Sequence, residues 1–218
     1  MSMAHSIMHF THINNLPVRT RRPRMTVGRA ALLAMLGGYA SLSQREELAT
    51  AEGASLLEIQ KLMYFLQERG QPLRLDYVKG RYGPYAANLN HALEPLEGHY
   101  VRGYGDRSDY VLKLNPISLM PGAVNEATKW LAGHADDKTS DRISAVSELV
   151  SGFASAYGVE LLATVHWTAT RETAGESADP AVLTEIIGQW NERKERLFTE
   201  AHVAKAVSRL EELGWIGK

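Results

Sequence analysis

The chain has 218 residues, 44% of them hydrophobic and 22% charged, with a formal net charge of -1 at pH 7, which is typical of a globular protein with one good core or two small ones. It contains no cysteine, and this excludes thiol catalysis, disulfides and cysteine-ligated zinc. Because no apolar run approaches the roughly 18–20 residues that cross a bilayer, and no secretory signal pattern opens the chain, we expect a cytoplasmic protein.

Charge is distributed unevenly along the chain. The first 45 residues contain six arginines and no acidic residue, whereas residues 136–179 contain eight acidic and three basic residues. An acidic segment suits docking onto a protein whose own groove is basic because it normally holds DNA, although a solvated helical surface has the same composition. The acidic candidates for such docking are Asp136, Asp137 and Asp141.

Residues 1–24 are expected to form a leader or linker outside the folded core. Prolines and arginines make this tract polar and rich in chain breakers, and its arginines could either bind phosphates or keep a linker solvated. Three histidines, His5, His9 and His12, have a spacing that would place them on one helix face. No carboxylate or cysteine accompanies them, so we predict no metal site there.

Two helices are predicted at the start of the folded chain. Thr26 can cap a helix over residues 27–39, whose apolar positions follow helical spacing. Ser55 and Glu58 form a capping-box pattern, in which each side chain binds a free backbone amide of the first turn. This second helix is expected to end near Gly70, since glycine accepts the left-handed conformation that often closes a helix.

Short strands are predicted after the second helix. Alternating apolar and polar residues indicate strands over 73–78 and 110–115, and one helical face is present over 85–96. This order of elements predicts a winged-helix-like arrangement. Residues 101–106 would open its hairpin or wing.

The remainder of the chain is predicted to be helical. Helical spacing and capping residues indicate helices over 121–133, 143–150, 159–170, 180–190 and 199–214. The third of these is apolar around most of its circumference, so we expect it to be central and buried. The fold class is therefore mainly α (α+β), with a winged-helix-like part over residues 25–135 and a helical part over 136–218 that ends in a helix-turn-helix-like pair.

Two segments rich in tyrosine and glycine are candidate contact surfaces. Glycines and a proline fix an irregular backbone over residues 79–85, and residues 98–106 repeat this chemistry. Tyrosine and arginine often anchor protein interfaces, but core aromatics with satisfied hydroxyls would show the same pattern. The candidate partner-binding residues are Lys79, Arg81, Tyr82 and Tyr85 in the first segment and His99, Tyr100, Arg102, Tyr104 and Asp106 in the second.

Three runs carry a resemblance to a known family: EIQKLMYFLQERG at 58–70, VKGRYGPYAANLNH at 78–91 and LEGHYVRGYGD at 96–106. They resemble the C-terminal domain of the DarG antitoxins, whose partner is the DNA ADP-ribosyltransferase toxin DarT. The resemblance implies a domain that binds the toxin and occludes its single-stranded DNA site, with acidic and aromatic side chains in the basic cleft. It also implies that the macro domain, which carries the ADP-ribosyl hydrolase activity of complete DarG, is absent from this chain and possibly fused upstream in the natural protein.

A DNA-binding regulator and an enzyme are the two alternative classes of function. The last predicted helix carries His202, Lys205 and Arg209 on one face, which could enter a major groove in a winged-helix DNA-binding regulator, possibly an autoregulatory one. No nucleophile elbow, zinc-binding helix, nucleotide-binding glycine loop or cysteine nucleophile is present in the sequence. We therefore expect no enzymatic activity, no catalytic residues and no cofactor.

Overall fold

The computed structural model describes residues 21–47, 53–105, 116–134, 136, 138–173 and 178–217. Within these ranges the chain forms nine α-helices, a short 3-10 helix, a π-helical turn and two separate two-stranded antiparallel sheets. This confirms the prediction of a mainly helical protein with a small amount of sheet. No helix in the described ranges has the length and apolar character that crossing a membrane requires.

The first two helices begin where the sequence predicts. Helix α1 (Val27–Arg45) starts after Thr26, whose side chain accepts from the backbone amide of Arg29. It runs through Gly37 and Gly38 without a break and continues for six residues past its predicted end at residue 39. Helix α2 (Leu56–Glu68) starts with the predicted capping box of Ser55 and Glu58. The Tyr39 hydroxyl also donates to the Glu58 carboxylate at 2.6 Å, which joins the two helices.

A tight hairpin follows α2. Strand β1 (Tyr77–Gly80) pairs with β2 (Gly83–Ala86), so only Arg81 and Tyr82 form the turn. The segment 79–85, which we predicted as an irregular loop, is therefore the hairpin itself, and the predicted strand over 73–78 lies further along the chain. Gly83 has a positive φ of 94°, a conformation that glycine adopts without the strain of a Cβ atom.

A second small sheet lies after the hairpin. Helix α3 (Leu89–Leu93) and the 3-10 helix (Glu94–Leu96) lead to β3 (Val101–Arg102), which pairs with β4 (Ser118–Leu119). The predicted strand over 110–115 lies outside the described residues. The likeness to a winged helix stays a prediction.

Six helices make up the rest: α4 (Ala123–His134), α5 (Lys138–Val150), α6 (Ala156–Trp167), α7 (Pro180–Gly188), α8 (Glu192–Leu197) and α9 (Glu200–Glu212). As predicted, α6 is central, because it packs against α2, β2 and α9 and buries nine consecutive residues of its twelve. Buried side chains from both predicted parts of the chain belong to a single hydrophobic cluster. The division at residue 135 stays a prediction.

One glycine in α6 provides a test of this packing. A Cβ atom on Gly158 would lie 2.4 Å from the carbonyl oxygen of Phe153, which is backbone and cannot swing away. We expect Gly158→Ala to lower the free energy of unfolding by about 1–3 kcal/mol, measured by urea denaturation. The matched control is Gly133→Ala in α4, where no atom lies within 4 Å of the added carbon, and this change is expected to stabilise the protein by about 0.5–1 kcal/mol. Equal effects at the two positions would contradict the packing described for α6.

Candidate partner-binding surface

A buried ion cluster lies beneath the β1–β2 hairpin. Glu160 on α6 is 1% exposed, and its two carboxylate oxygens accept from the Arg193 guanidinium at 2.6 and 2.9 Å. The Lys194 ammonium is fully buried and donates to Glu160 at 2.8 Å and to the Thr164 hydroxyl at 2.9 Å. Burial raises the pKa of Glu160, but Arg193 and Lys194 outweigh it, so this pKa lies below its usual value.

A second buried lysine adjoins this cluster. Lys61 on α2 is 2% exposed, and its ammonium donates to the carbonyl oxygen of Pro84 at 2.5 Å. Burial and the neighbouring charge of Lys194 lower the pKa of Lys61 to about 7, although the Glu160 carboxylate acts in the opposite direction. The cluster thus places three basic groups around one carboxylate.

The hairpin is fixed in place from two sides. On the α2 side, the Gln60 amide both donates to and accepts from the backbone of Ala86, with both distances 3.0 Å. On the α8 side, the Trp190 indole donates to the carbonyl of Gly80 at 2.9 Å, and the Asn191 amide donates to that of Arg81 at 3.1 Å. The turn is therefore held by side chains that are distant from it in sequence, and its conformation is organised before any partner binds.

A basic groove separates the hairpin from α8. It has a volume of about 580 Å³ and is lined by Lys79, Arg81, Arg193 and Arg196, together with Trp190, Asn191 and Glu192. The Lys79 ammonium lies 4.3 Å from the centre of the Trp190 ring, and the Arg193 guanidinium lies 4.9 Å from that of Tyr82. Because cations already cover these ring faces, the groove is suited to binding anions more than to stacking on flat apolar ligands.

A smaller cavity lies on the opposite side of the turn. Its volume is about 220 Å³, and its walls include Leu56, Leu57, Tyr82 and Tyr85, with Lys61 also in contact with it. Tyr85 is 37% exposed, and its hydroxyl accepts from the Asn90 amide. We call the exposed hairpin side chains, the basic groove and this cavity together the hairpin surface.

The second predicted contact segment is largely buried. Tyr100 and Tyr104 are 2% and 3% exposed, and their hydroxyls donate to Glu126 at 2.8 Å and to Asn90 at 3.3 Å. His99 is partly buried and Arg102 is exposed, whereas Asp106 lies outside the described residues. Asn90 thus connects Tyr104 with Tyr85, which links the second segment to the hairpin through the protein interior. A role of residues 98–106 in partner binding stays a prediction.

The predicted acidic residues lie at the start of α5. Asp136 accepts from the Thr139 hydroxyl at 2.5 Å and pairs with Arg142 at 2.9 Å, and these contacts lower its pKa. Asp141 is exposed on the first turn of α5, and Asp137 lies outside the described residues. Asp136 therefore already takes part in local contacts that begin the helix.

The residues named for DNA binding are on α9, but two of them have contacts within the protein. The Arg209 guanidinium donates to backbone carbonyls of Glu148 and Leu149 at the end of α5, and the His202 ring lies 2.7 Å from the Tyr157 hydroxyl. Lys205 is exposed. The face that sequence reasoning assigned to a major groove is thus used partly for packing α9.

Sequence reasoning missed the residues that hold the hairpin. Glu160, Arg193 and Lys194 of the ion cluster, and Trp190 and Arg196 of the groove, are not among the predicted site residues. One signal was present in the sequence, since Lys61 interrupts an otherwise apolar face of α2. In the described part of the chain, no group of three or more metal-ligating side chains is found.

Comparison with known proteins finds relatives that are all named DNA ADP-ribosyl glycohydrolase. The chain is 41% identical over 191 residues to the DNA ADP-ribosyl glycohydrolase of Mycobacterium tuberculosis, covering 86% of this chain and 53% of the relative. It is 41% identical over 207 residues to that of Thermus aquaticus, covering 95% of this chain and 50% of the relative. The chain is homologous to DNA ADP-ribosyl glycohydrolase, the DarG protein. It spans about half the length of the curated relatives that it matches. No protein-family model matches the chain.

This relationship corrects two predictions. The identification as specifically the C-terminal, toxin-binding domain of DarG without a macro domain was wrong, because the match is to the glycohydrolases over about half of their length and does not say which part is matched. The prediction that the chain is not an enzyme was also wrong, because proteins 41% identical over most of the chain are named for an enzymatic activity. The absence of catalytic motifs known from other enzyme classes did not justify that prediction.

Proposed function

We propose that this chain acts as an antitoxin that binds a DarT-like DNA ADP-ribosyltransferase in the cytoplasm and neutralises it by covering its single-stranded DNA site. The homology to DarG supports a partner of this kind. The observation that carries the proposal is the hairpin surface, which exposes Arg81 and Tyr85 on a backbone already fixed by α2 and α8. A preorganised protrusion loses little conformational entropy when it binds, and this favours high affinity.

The charge of the hairpin surface defines how it would act. Its four cations make it unsuited to imitate the phosphates of DNA, so we expect the hairpin itself to exclude DNA by its bulk. Charge complementarity with a basic DNA cleft would come from exposed carboxylates such as Asp141 at the start of α5. The two contributions are separable by mutation because they lie on different elements.

Substitutions in the hairpin test this proposal. We expect Arg81→Ala and Tyr85→Ala each to weaken binding to a catalytically inactive DarT-like toxin by about tenfold or more, measured by calorimetric titration, since arginine and tyrosine anchors commonly contribute this much. The Arg81 side chain is exposed, so Arg81→Ala should keep the wild-type melting temperature, whereas Tyr85→Ala also removes the acceptor of the Asn90 amide and its melting temperature is measured alongside its affinity. Lys205→Ala on α9 is the matched control, because it removes an exposed cation elsewhere and should bind as the wild type does.

Competition with DNA completes the test. Wild-type protein should displace a labelled single-stranded oligonucleotide from the inactive toxin, and Arg81→Ala should do so only at higher concentration. Tight toxin binding that leaves the oligonucleotide in place would contradict occlusion. If the chain does not bind the toxin but binds duplex DNA in a salt-dependent way, the DNA-binding regulator is favoured instead. Lys205 would then be the first residue to mutate.

A second function is favoured by the names of the relatives. Proteins 41% identical to this chain are DNA ADP-ribosyl glycohydrolases, so removal of ADP-ribose from DNA is the corresponding activity to test here. Incubation of the chain with an ADP-ribosylated single-stranded oligonucleotide, followed by mass measurement of the product, decides it. Release of ADP-ribose would show that the chain has hydrolase activity in addition to toxin binding. An unchanged oligonucleotide would show that the chain does not catalyse this reaction.

A further inference from the structure

The small cavity beside the hairpin has the dimensions of a pocket for one side chain. Its volume of about 220 Å³ is below the roughly 300–1,000 Å³ of sites that enclose drug-sized ligands. Leu56, Leu57 and the tyrosine rings give it mostly apolar walls, and the buried side chain of Lys61 also lines it, with its ammonium on the Pro84 carbonyl of the hairpin. An occupant that matches these features has an apolar stem and a polar end. We call it the Lys61 cavity.

The polar end of that occupant should be negatively charged. Lys61 donates to the Pro84 carbonyl, and an ammonium group has three donors, so it retains capacity for a further acceptor. The nearby carboxylate of Glu160 already accepts from Arg193 and Lys194 at 2.6–2.9 Å. A buried cation that lacks its own counter-ion is costly, and an incoming carboxylate would remove part of that cost.

None of the other polar side chains that line the cavity is a carboxylate. The Gln60 amide is used in both directions by the backbone of Ala86, and Arg81 adds a further positive charge at the turn. Phosphate groups of a nucleic acid are better matched by the open basic groove, where Arg81 and Arg196 accompany the ion-paired Lys79 and Arg193, whereas this cavity is small and apolar. Its shape and charge therefore favour a protein side chain.

We propose that the Lys61 cavity receives one aspartate or glutamate side chain of the bound toxin, whose carboxylate pairs with the Lys61 ammonium. This inference rests on the proposed toxin binding and names the chemistry of one contact within it. The toxin residue lies against Leu57 and Tyr82 with its methylene groups. Such a pair, desolvated at the centre of an interface, is the type of contact whose loss most affects dissociation.

Proton uptake is the signature of this contact. The charges that act on Lys61 are those of Lys194 from α8 and Glu160 from α6, Thr164 of α6 lies near it under Gly83, and Arg81, Tyr82 and Tyr85 of the hairpin line the same cavity. In the free protein the pKa of Lys61 is about 7, so most of this amine is neutral at pH 8. A carboxylate partner raises that pKa, and each binding event at pH 8 then takes up roughly one proton.

The experiment is calorimetric titration of the full chain with inactive DarT-like toxin at pH 8, in two buffers with small and large ionisation enthalpies. For the wild type, we expect the difference between the two heats to correspond to uptake of about one proton. Lys61→Met and Lys61→Gln should bind about 30-fold more weakly or worse, without proton uptake. Lys205→Met should keep both the affinity and the uptake, because that lysine is exposed on α9.

The proton count separates this contact from a merely structural role of Lys61. If Lys61 served only to hold the hairpin through its bond to Pro84, Lys61→Met would still weaken toxin binding. Toxin binding by the wild type would in that case take up no proton. Replacing exposed acidic residues of the toxin by their amides should identify one position whose effect disappears in Lys61→Met. Normal toxin binding by Lys61→Met would overturn this inference while leaving the proposed function intact. Failure of the wild type to bind toxin would overturn this inference together with the proposed function.

Discussion

Replacing Glu160 by alanine is expected to lower the free energy of unfolding by about 3–5 kcal/mol. Glu160 is the buried carboxylate that binds both Arg193 and Lys194, and Lys194 is fully buried. In the variant, the Lys194 ammonium keeps the Thr164 hydroxyl as a hydrogen-bond partner but loses its counter-ion. Water cannot easily replace that carboxylate inside the core, so the uncompensated charge should dominate the effect. Urea unfolding at pH 7 measures it.

Two further variants define the cause of that loss. Glu195→Ala removes an exposed carboxylate next to Lys194 in the chain and should change stability by no more than about 0.5 kcal/mol. The double variant Glu160→Leu with Lys194→Met removes both members of the buried Glu160–Lys194 pair and should recover much of the lost stability. A loss of less than about 1 kcal/mol in Glu160→Ala would show that the cluster is hydrated or rearranges.

The helices were predictable because their signals are local. Thr26, the Ser55 and Glu58 capping box and the proline at position 180 each act within one turn of a helix, and the structure places helix starts at these positions. The buried position of α6 also followed from its composition alone. Such features depend on neighbours in the sequence, which a reading of the sequence can weigh directly.

The hairpin shows where local reading was insufficient. The predicted strand over 73–78 stops before Gly80, and glycine usually interrupts a strand. In the structure, Gly80 pairs with Gly83, and the strand continues through it since Trp190 and Gln60 hold the two strands from outside. Trp190 is 110 positions away from the carbonyl it binds, and no local pattern could have indicated that contact.

The ion cluster could not be predicted for the same reason. Glu160 and Lys194 are 34 positions apart, and Lys61 and Pro84 are 23 positions apart. A lysine is seldom fully buried, so each of these residues taken alone predicts a solvated surface. Only the packing of α2 and α8 against α6 and the hairpin brings their charges together.

The arrangement connects stability with the proposed contact surface. Lys61 of the ion cluster binds the hairpin backbone at Pro84, and Arg193 of the same cluster lines the basic groove, so the cluster contributes to both the shape and the charge of the hairpin surface. Natural proteins keep buried charges at some cost in stability when specificity requires them. In this protein the cost should be measurable at Lys61, because its pKa lies within the range where proteins are studied.

Stability is expected to rise with pH in the wild type and to lose most of this rise in Lys61→Met. The pKa of Lys61 is about 7 in the folded protein, against an ordinary value of 10.5. Below pH 7 the lysine is protonated in both states, and the full cost of burying its charge is present. Above pH 7 the folded state releases the proton while the unfolded state keeps it, so the free energy of unfolding rises by up to about 1.4 kcal/mol per pH unit. Between pH 7 and pH 9 this amounts to about 2 kcal/mol.

Urea unfolding of the two proteins at pH 7, 8 and 9 measures the difference. Groups distant from Lys61 contribute equally to both proteins, whereas Lys194, whose pKa is also lowered by burial, loses a like-charged neighbour in Lys61→Met. The difference in slope therefore reports Lys61 together with its coupling to Lys194. Lys205→Met is the control and should keep the wild-type slope, because its side chain is exposed. Parallel slopes for the wild type and Lys61→Met would mean that Lys61 stays protonated in the folded protein through this range. In that case toxin binding would take up no proton, and the calorimetric signature proposed for the Lys61 cavity would be absent.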